Sequence, residues 1–230
     1  MRSIAARFES SHAGTKVLLN SGASAFLARQ IRDGAPVDIF LSADARSMDL
    51  ASTGGRLAEG TRRELVWNAL AVVVPSDSSF SPSGPEDLLE DPVRRIALCS
   101  EAVPLGRYAR TWLRARGLLG GIDPRAVRPP DARAALALAE AGAVDVAIVY
   151  RSDAIASANV RLAFEVPLRE APRIAYSVAA IRDGPNPEIG SSLLEYLVGS
   201  ESMRVFAEAG FRVDAGVESA LEPRGQAGPR

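Results

Sequence analysis

Few residues in this chain are equipped for chemistry, and one short stretch gathers several of them. Residues 20–30 read "NSGASAFLARQ". Ser21, Gly22, Ala23 and Ser24 form a small polar turn that runs into an apolar, helix-like segment. Ser24 is a good N-cap or first-turn residue. The first N–H groups of a helix have no partner inside it, and the helix dipole makes that end partly positive. Such an end accepts an anion. A helix that is capped and binds nothing has the same local sequence, so the turn acquires meaning only if other residues converge on it.

Other chemistry is poorly supplied. His12 is the single histidine and Cys99 the single cysteine. That argues against a zinc site of the usual His/Cys type and rules out an intrachain disulfide. "GASAF" departs from the G-x-S-x-G nucleophile elbow at Phe26, and His12 precedes Ser24, whereas that fold orders its triad Ser, acid, His. Cys99 stands between Leu98 and Ser100 in an expected strand and reads as a small buried hydrophobe. His12 reads as an exposed loop residue. No G-x-G-x-x-G follows a strand and no phosphate-binding G-x-x-x-x-G-K-[ST] occurs. The carboxylate pairs Asp38/Asp44 and Glu86/Asp87 come with no second feature that would make them an acid/base pair, and Asp44 reads as the cap of the helix after "FLSA".

Composition narrows the classes further. Lys+Arg 27 against Asp+Glu 28 leaves a net charge of −1, with no basic excess to suit nucleic acid. The Arg-rich pieces "TRRE", "PVRRIA" and "RYARTWLRARG" read as solvated helix faces. With 47% hydrophobic and 24% charged residues the chain is an ordinary globular one, and 230 residues suffice for one large domain or two lobes. No stretch approaches the roughly 18–20 apolar residues of a membrane span. "MRSIAARFESSHAG" has no long apolar core of the signal-peptide kind.

The elements that must position these residues alternate. "SIAARFES" is a helix end, "KVLLN" (16–20) a buried strand, and "SAFLARQIRDG" (24–34) a helix closed by Gly34. "VDIFLSAD" (37–44) is a strand and "ARSMDLASTGG" starts a helix. "ALAVVVP" (69–75) is a continuous apolar run, as for a strand covered on both faces. "RRIALCS" (94–100) is a strand, and "GRYARTWLRARGL" and "DARAALALAEAGA" are helices. Strands follow at "VDVAIVYRSD" (144–153), "VRLAFEVP" (160–167) and "RIAYSVAAI" (173–181). A helical pair broken near Gly199 covers 189–211. Strands separated by helices imply an α/β fold with mostly parallel sheets and helices on both faces. "PSDSSFSPSGPEDL" (75–88) is a surface loop, and "EPRGQAGPR" belongs to a disordered tail, 219–230.

In order along the chain, "GASAFLARQIRDGAPVDIFLSAD", "ELVWNALAVVVPSDS", "EAVPLGRYARTWLRARGL", "DARAALALAEAGAVDVAIVYRSDA", "EVP" with "IAYSVAAI", and "LLEYLVGSESMRVFAEAGF" resemble segments of the molybdate-binding proteins of ABC transporters. The resemblance covers nearly the whole chain, and its specificity lies in the ordered series. It implies a two-lobed periplasmic-binding-protein-like fold in which two crossing strands form a hinge. The first lobe would be 1–73 and 176–230 and the second 74–175. The cleft between them would close on molybdate or tungstate, held by hydroxyls and backbone N–H groups. By position, Ser24 would offer its hydroxyl and N–H, Leu105 and Ala132 their N–H groups, and Tyr150 its phenol. No metal-ion ligand and no cofactor is implied. The partner would be the membrane permease of an ABC importer, the place periplasmic or extracytoplasmic, and the protein a monomer without catalytic activity.

Departures from the family pattern are as informative. Leu98, Cys99 and Ser100 stand where a "GDP"-type turn is usual, and Leu105 replaces an Ala, adding bulk beside the cleft. The family opens on a signal peptide and an "ITVFAAASL"-type strand whose end supplies a further ligand serine. This chain opens on "MRSIAARFE", which matches the helix after that strand. The expectation is an internal methionine taken as the start, or a truncated gene, and the genomic DNA upstream, read in frame, tests it. Besides the transport reading, with sulfate as another candidate anion, two classes stay open: a cytoplasmic oxyanion-sensing module of this fold, and an enzyme on the same scaffold, for which no nucleophile or acid/base set is present.

Overall fold

The computed structural model describes residues 1–22 and 24–213. The segment 219–230, expected as a disordered tail, lies outside the described residues. In chain order the helices and strands are α1 (Arg2–Ser11), α2 (Ser24–Arg32), β1 (Ile39–Ser42), α3 (Ala45–Ser52), β2 (Arg63–Asn68), β3 (Leu70–Pro75), β4 (Ile96–Ala97), α4 (Pro104–Ala115), α5 (Leu119–Ile122), β5 (Ala126–Val127), α6 (Ala132–Glu140), β6 (Val146–Tyr150), α7 (Arg151–Ala156), β7 (Val160–Glu165), β8 (Ile174–Ala180), α8 (Pro187–Val198) and α9 (Ser200–Glu208). They make two compact α/β units. Unit 1 comprises Met1–Trp67 and Ile174–Glu208 with Arg212 and Val213; unit 2 comprises Asn68–Arg173 with Ala209–Phe211.

Unit 1 is built on a three-stranded sheet in the order β1–β8–β2. β1 and β8 are antiparallel, with Ile39 opposite Ala180 and Ser42 opposite Ser177. The Ile181 N–H donates to the Asp38 carbonyl, 2.9 Å. Antiparallel pairs alternate, so Phe40 and Ser42 also bond to β8, while the N–H and C=O groups of Ile39 and Leu41 turn away from it. Phe40, Ala179 and Ile181 pack on Ala28 and Ile31 of α2 and on Met48 and Ala51 of α3. Both helices end as their sequences require. Gly34, at φ 100°, lets the chain leave α2 in a left-handed turn that only glycine adopts cheaply. Asp44 caps α3, accepting from the Ser47 N–H at 2.8 Å and from its hydroxyl at 2.8 Å.

"KVLLN" (16–20) forms no strand, against expectation. Leu18 is 86% exposed and Leu19 43%. A strand needs a ladder for its backbone groups. Among the described residues none pairs with this segment. Instead the Val17 N–H donates to Glu9 Oε1 of α1 at 2.7 Å, and Lys16 pairs with the same carboxylate at 3.6 Å. His12 also differs from expectation: it is half-buried, its ring stacked on Phe8 with centroids 3.9 Å apart.

Unit 2 has a five-stranded sheet in the order β5–β4–β6–β3–β7. β4 is parallel to β5 and β6, and β3 is antiparallel to β6 and β7. Four strands therefore run one way and β3 the other. The like-directed strands are joined through helices, as parallel neighbours must be: α4 and α5 between β4 and β5, α6 between β5 and β6, α7 between β6 and β7. The exceptions to the mostly parallel pattern are β3 and β8, which begin just after the chain passes from one unit to the other. They enter their sheets without the crossover helix that would impose the common direction. All six residues of β3 are buried, as its unbroken apolar run requires.

Candidate functional site

β5, β4 and β6 lie side by side and end along one edge of the unit 2 sheet, and a helix follows from each: α6, α4 and α7. The carboxyl ends of parallel strands are where α/β sheets collect helix N-termini, and so unpaired N–H groups. Leu105, Ala132 and Tyr150 all fall on this edge. Leu105 is the second residue of α4, Ala132 the first of α6, and Tyr150 the last of β6.

α4 opens on Pro104, which has no N–H to satisfy, and its N-cap Val103 supplies no side-chain acceptor. The Arg107 N–H is the first to bond back, to the Val103 carbonyl at 3.0 Å. The amides of Leu105 and Gly106 therefore have no partner within the helix. Leu105 is 1% exposed and shares its face with Ala109, Trp112 and Leu113, all buried. Its bulk belongs to the core face of α4, because positions 105, 109, 112 and 113 return to one side of the helix. Gly106 is pressed against the loop before the helix. A Cβ there would lie 2.1 Å from the Ser100 carbonyl oxygen and 2.5 Å from that of Cys99.

α6 is capped by Asp131, whose side chain accepts from the Ala134 N–H at 2.8 Å. Ala132 and Arg133 are left without an acceptor one turn back. Cys99 joins the two helix starts: its Sγ lies 3.5 Å from the Asp131 carbonyl. Burial pushes the Cys99 thiol up to about 11, with the Asp131 charge adding to the effect, so it stays a neutral thiol and not a nucleophile. Arg110 braces the same loop. Its Nε donates to the Cys99 carbonyl at 3.0 Å and its Nη1 to Asp123 at 2.7 Å. That guanidinium, helped by Arg128, holds the Asp123 carboxyl below the usual range. Arg107 turns its Nη1 to the Glu101 and Ala102 carbonyls. Arg107 and Arg110, in α4's first two turns, thus bond loop carbonyls and Asp123, while the Arg110 Nη2 is buried with no hydrogen-bond partner among the described residues, and the donors at the helix starts are neutral amides.

Tyr150 is half-buried, pairs with Leu70 across the sheet, and is the N-cap of α7. The sequence reads as strand through Asp153, but α7 starts at Arg151. The next two residues hold Tyr150 in place. The Arg151 N–H donates to the Ala69 carbonyl at 2.9 Å, and its Nε donates to Glu165 at 2.6 Å. Asn68, buried in unit 2, donates to the Ser152 hydroxyl at 2.9 Å. Asp153 is buried enough to raise its carboxyl above the usual range, which Arg133 opposes.

Ser24 belongs to unit 1, where it opens α2. Its Oγ accepts from the Ala43 N–H at 3.0 Å. Accepting that bond leaves the hydroxyl its own hydrogen to donate. The structure brings Leu105, Ala132 and Tyr150 to one edge of one sheet and places Ser24 at the helix start the turn foretold. Gly106, Arg110, Asn68 and Arg151 were not singled out in the sequence. Gly106 stood there only as the first residue of the expected helix "GRYARTWLRARGL", whereas α4 begins two residues earlier, at Pro104.

Residues 1–212 match the family model described as bacterial extracellular solute-binding protein. The chain is 34% identical over 220 residues to the molybdate-binding protein ModA of Escherichia coli (strain K12), covering 93% of this chain and 84% of that protein. A substrate binding domain from Clostridium difficile superposes with a TM-score of 0.84 at 30% identity, covering 92% of each chain. The Azotobacter vinelandii periplasmic molybdate-binding protein has a TM-score of 0.77 at 21% identity, over 92% of this chain and 93% of that one, which speaks to the shared fold. A family model that spans all but the last residues, together with a sheet edge lined by helix starts, places this chain among the bacterial extracellular solute-binding proteins.

Proposed function

We propose that this protein is the solute-binding component of an ABC importer, and that it captures molybdate and delivers it to a membrane permease. The observation that carries the reading is the 34% identity, over 93% of the chain, to a protein named for molybdate binding. The geometry of unit 2 supports it. A dianion taken from water needs many short hydrogen bonds, and amides at helix starts and hydroxyls supply them at fixed positions. Leu105 and Ala132 contribute backbone N–H groups, and Tyr150 and Ser24 contribute hydroxyls. No formal counter-charge is required, and size then separates molybdate and tungstate from sulfate. The protein acts outside the cytoplasm, as a monomer.

Thermal-shift titration with molybdate, tungstate, sulfate and phosphate tests this. A ligand that binds only the folded state raises the melting temperature, by an amount equivalent to about 2.7 kcal/mol when it is present at 100 times its Kd. Molybdate and tungstate are expected to give saturable shifts, and phosphate none. A shift with sulfate alone would replace molybdate by sulfate as the cargo. No shift with any of the four would remove the oxyanion reading.

A further inference from the structure

Arg110 is the only buried charged residue among the described residues, at 6% exposure. It stands one helical turn after Gly106 on α4, and long side chains of a helix lean back toward its start. The guanidinium and the backbone of Gly106 meet at one atom. The Cys99 carbonyl oxygen accepts from Arg110 Nε at 3.0 Å, and it would lie 2.5 Å from a Cβ at position 106. The buried cation therefore rests against the turn that carries the amides of Leu105 and Gly106, which have no partner within the helix.

A buried charge is normally cancelled by a buried counter-charge and by full hydrogen bonding. Arg110 has neither. Its Nη1 pairs with Asp123, whose side chain is 37% exposed and is shared with Arg128. Two cations on one carboxylate leave the cluster net positive, with Arg110 as its buried end. The Nε bond goes to a neutral carbonyl, and Nη2 is buried with no acceptor among the described residues. The charge is felt across the loop: burial and then the Asp131 charge raise the Cys99 thiol, and the Arg110 charge opposes them. The other cations of this edge do not duplicate it. Arg107 and Arg128 are open to solvent, which screens them, and Arg133 acts on Asp153.

We propose that Arg110 sets the charge preference of the anion site of unit 2, favouring a dianion over a monoanion of the same shape. This rests on the oxyanion reading above. Arg110 acts through space and not by contact: the direct donors stay neutral amides and hydroxyls, and the counter-charge stands behind them. Shape and size are read by the donors, charge by Arg110. A fixed charge attracts a dianion with twice the energy it has for a monoanion, so its effect on a dianion's Kd is the square of its effect on a monoanion's. Low local dielectric preserves that effect for a buried cation, where water would erase it for an exposed one.

The test measures binding of tungstate, a dianion, and perrhenate, a tetrahedral monoanion of similar size, to the full chain by calorimetry. Arg110→Gln and Asp123→Asn are compared with the parent. Both variants break the same Arg110–Asp123 bond, so a residue that merely braces the loop weakens binding in both. A residue that acts by its charge moves them in opposite directions. Arg110→Gln is expected to weaken tungstate roughly tenfold and perrhenate only about threefold. Asp123→Asn, which strips the cluster of its one negative charge, is expected to tighten tungstate about twofold or more. Weaker tungstate binding in both variants would overturn the proposal, as would equal losses for the two anions or an unchanged Arg110→Gln protein. If Arg110→Gln does not fold, Asp123→Asn decides alone: tighter tungstate binding supports the proposal, and weaker or unchanged binding ends it. A parent that binds neither tungstate nor molybdate removes the oxyanion reading itself, which the variants then have no part in deciding.

Discussion

Tyr150→Phe is expected to weaken molybdate binding roughly 10- to 150-fold, because it removes one hydroxyl donor to a charged ligand, worth about 1.5–3 kcal/mol. Isothermal titration calorimetry at fixed ionic strength measures it. Tyr150 is also held by the β3–β6 ladder and by the bonds of Arg151 and Ser152, and the unliganded melting temperature of the variant separates loss of a ligand donor from loss of fold. Ser24→Ala is expected to lose affinity on the same scale. It also takes away the acceptor of the Ala43 N–H, so the unliganded melting temperature is expected to fall. If both variants bind molybdate as tightly as the parent, the donors lie elsewhere in the chain.

Gly106→Ala is the second large effect. The added Cβ would sit 2.1 Å from a backbone oxygen, and backbone cannot swing aside as the tip of a side chain does. Overpacking of this kind costs typically about 1–3 kcal/mol and occasionally more. Relief requires the first turn of α4 to move off the Cys99–Ser100 loop, which carries the Leu105 amide with it. The expected result is a lower urea midpoint together with a loss of molybdate affinity. Gly120→Ala is the control, because nothing lies within 4 Å of the Cβ it would add, and it is expected to change stability by no more than about 0.5 kcal/mol. A Gly106→Ala protein as stable as the control would show that the close approach is not a constraint.

What could be read in advance follows a physical line. α2, α3 and β3 were legible because their evidence is local: an apolar period, a glycine or aspartate at the end, and an unbroken buried run. "KVLLN" has the same local evidence and forms no strand, because a strand is completed by a neighbour, and the neighbour's presence is not written in the five residues themselves. "VDVAIVYRSD" failed at its boundary for a related reason: the switch from β6 to α7 at Tyr150 is fixed by Asn68, Ala69 and Glu165, far off in the sequence. Tyr150 was named from the family resemblance, and the place of Ser24 at a helix start was legible in the turn before it. Gly106 and Arg110 were not, since each acquires its role from the backbone around Cys99 and Ser100, which folds against it only in three dimensions.

The placement of β8 also sets an order of assembly. Ile39 pairs with Ala180, so the unit 1 sheet stays open until synthesis has passed β8. Apart from Ala209–Phe211, unit 2 is one uninterrupted stretch from Asn68 to Arg173, and its contacts are complete within that stretch. Domains fold as units while the chain is being made, N-terminal parts first where they are self-sufficient. Here the N-terminal residues are the ones that must wait. Their apolar side chains, Ile31 and Phe40 among them, are synthesised first and buried last, which makes the interval before β8 arrives the stage at which the growing chain most needs protection from its neighbours.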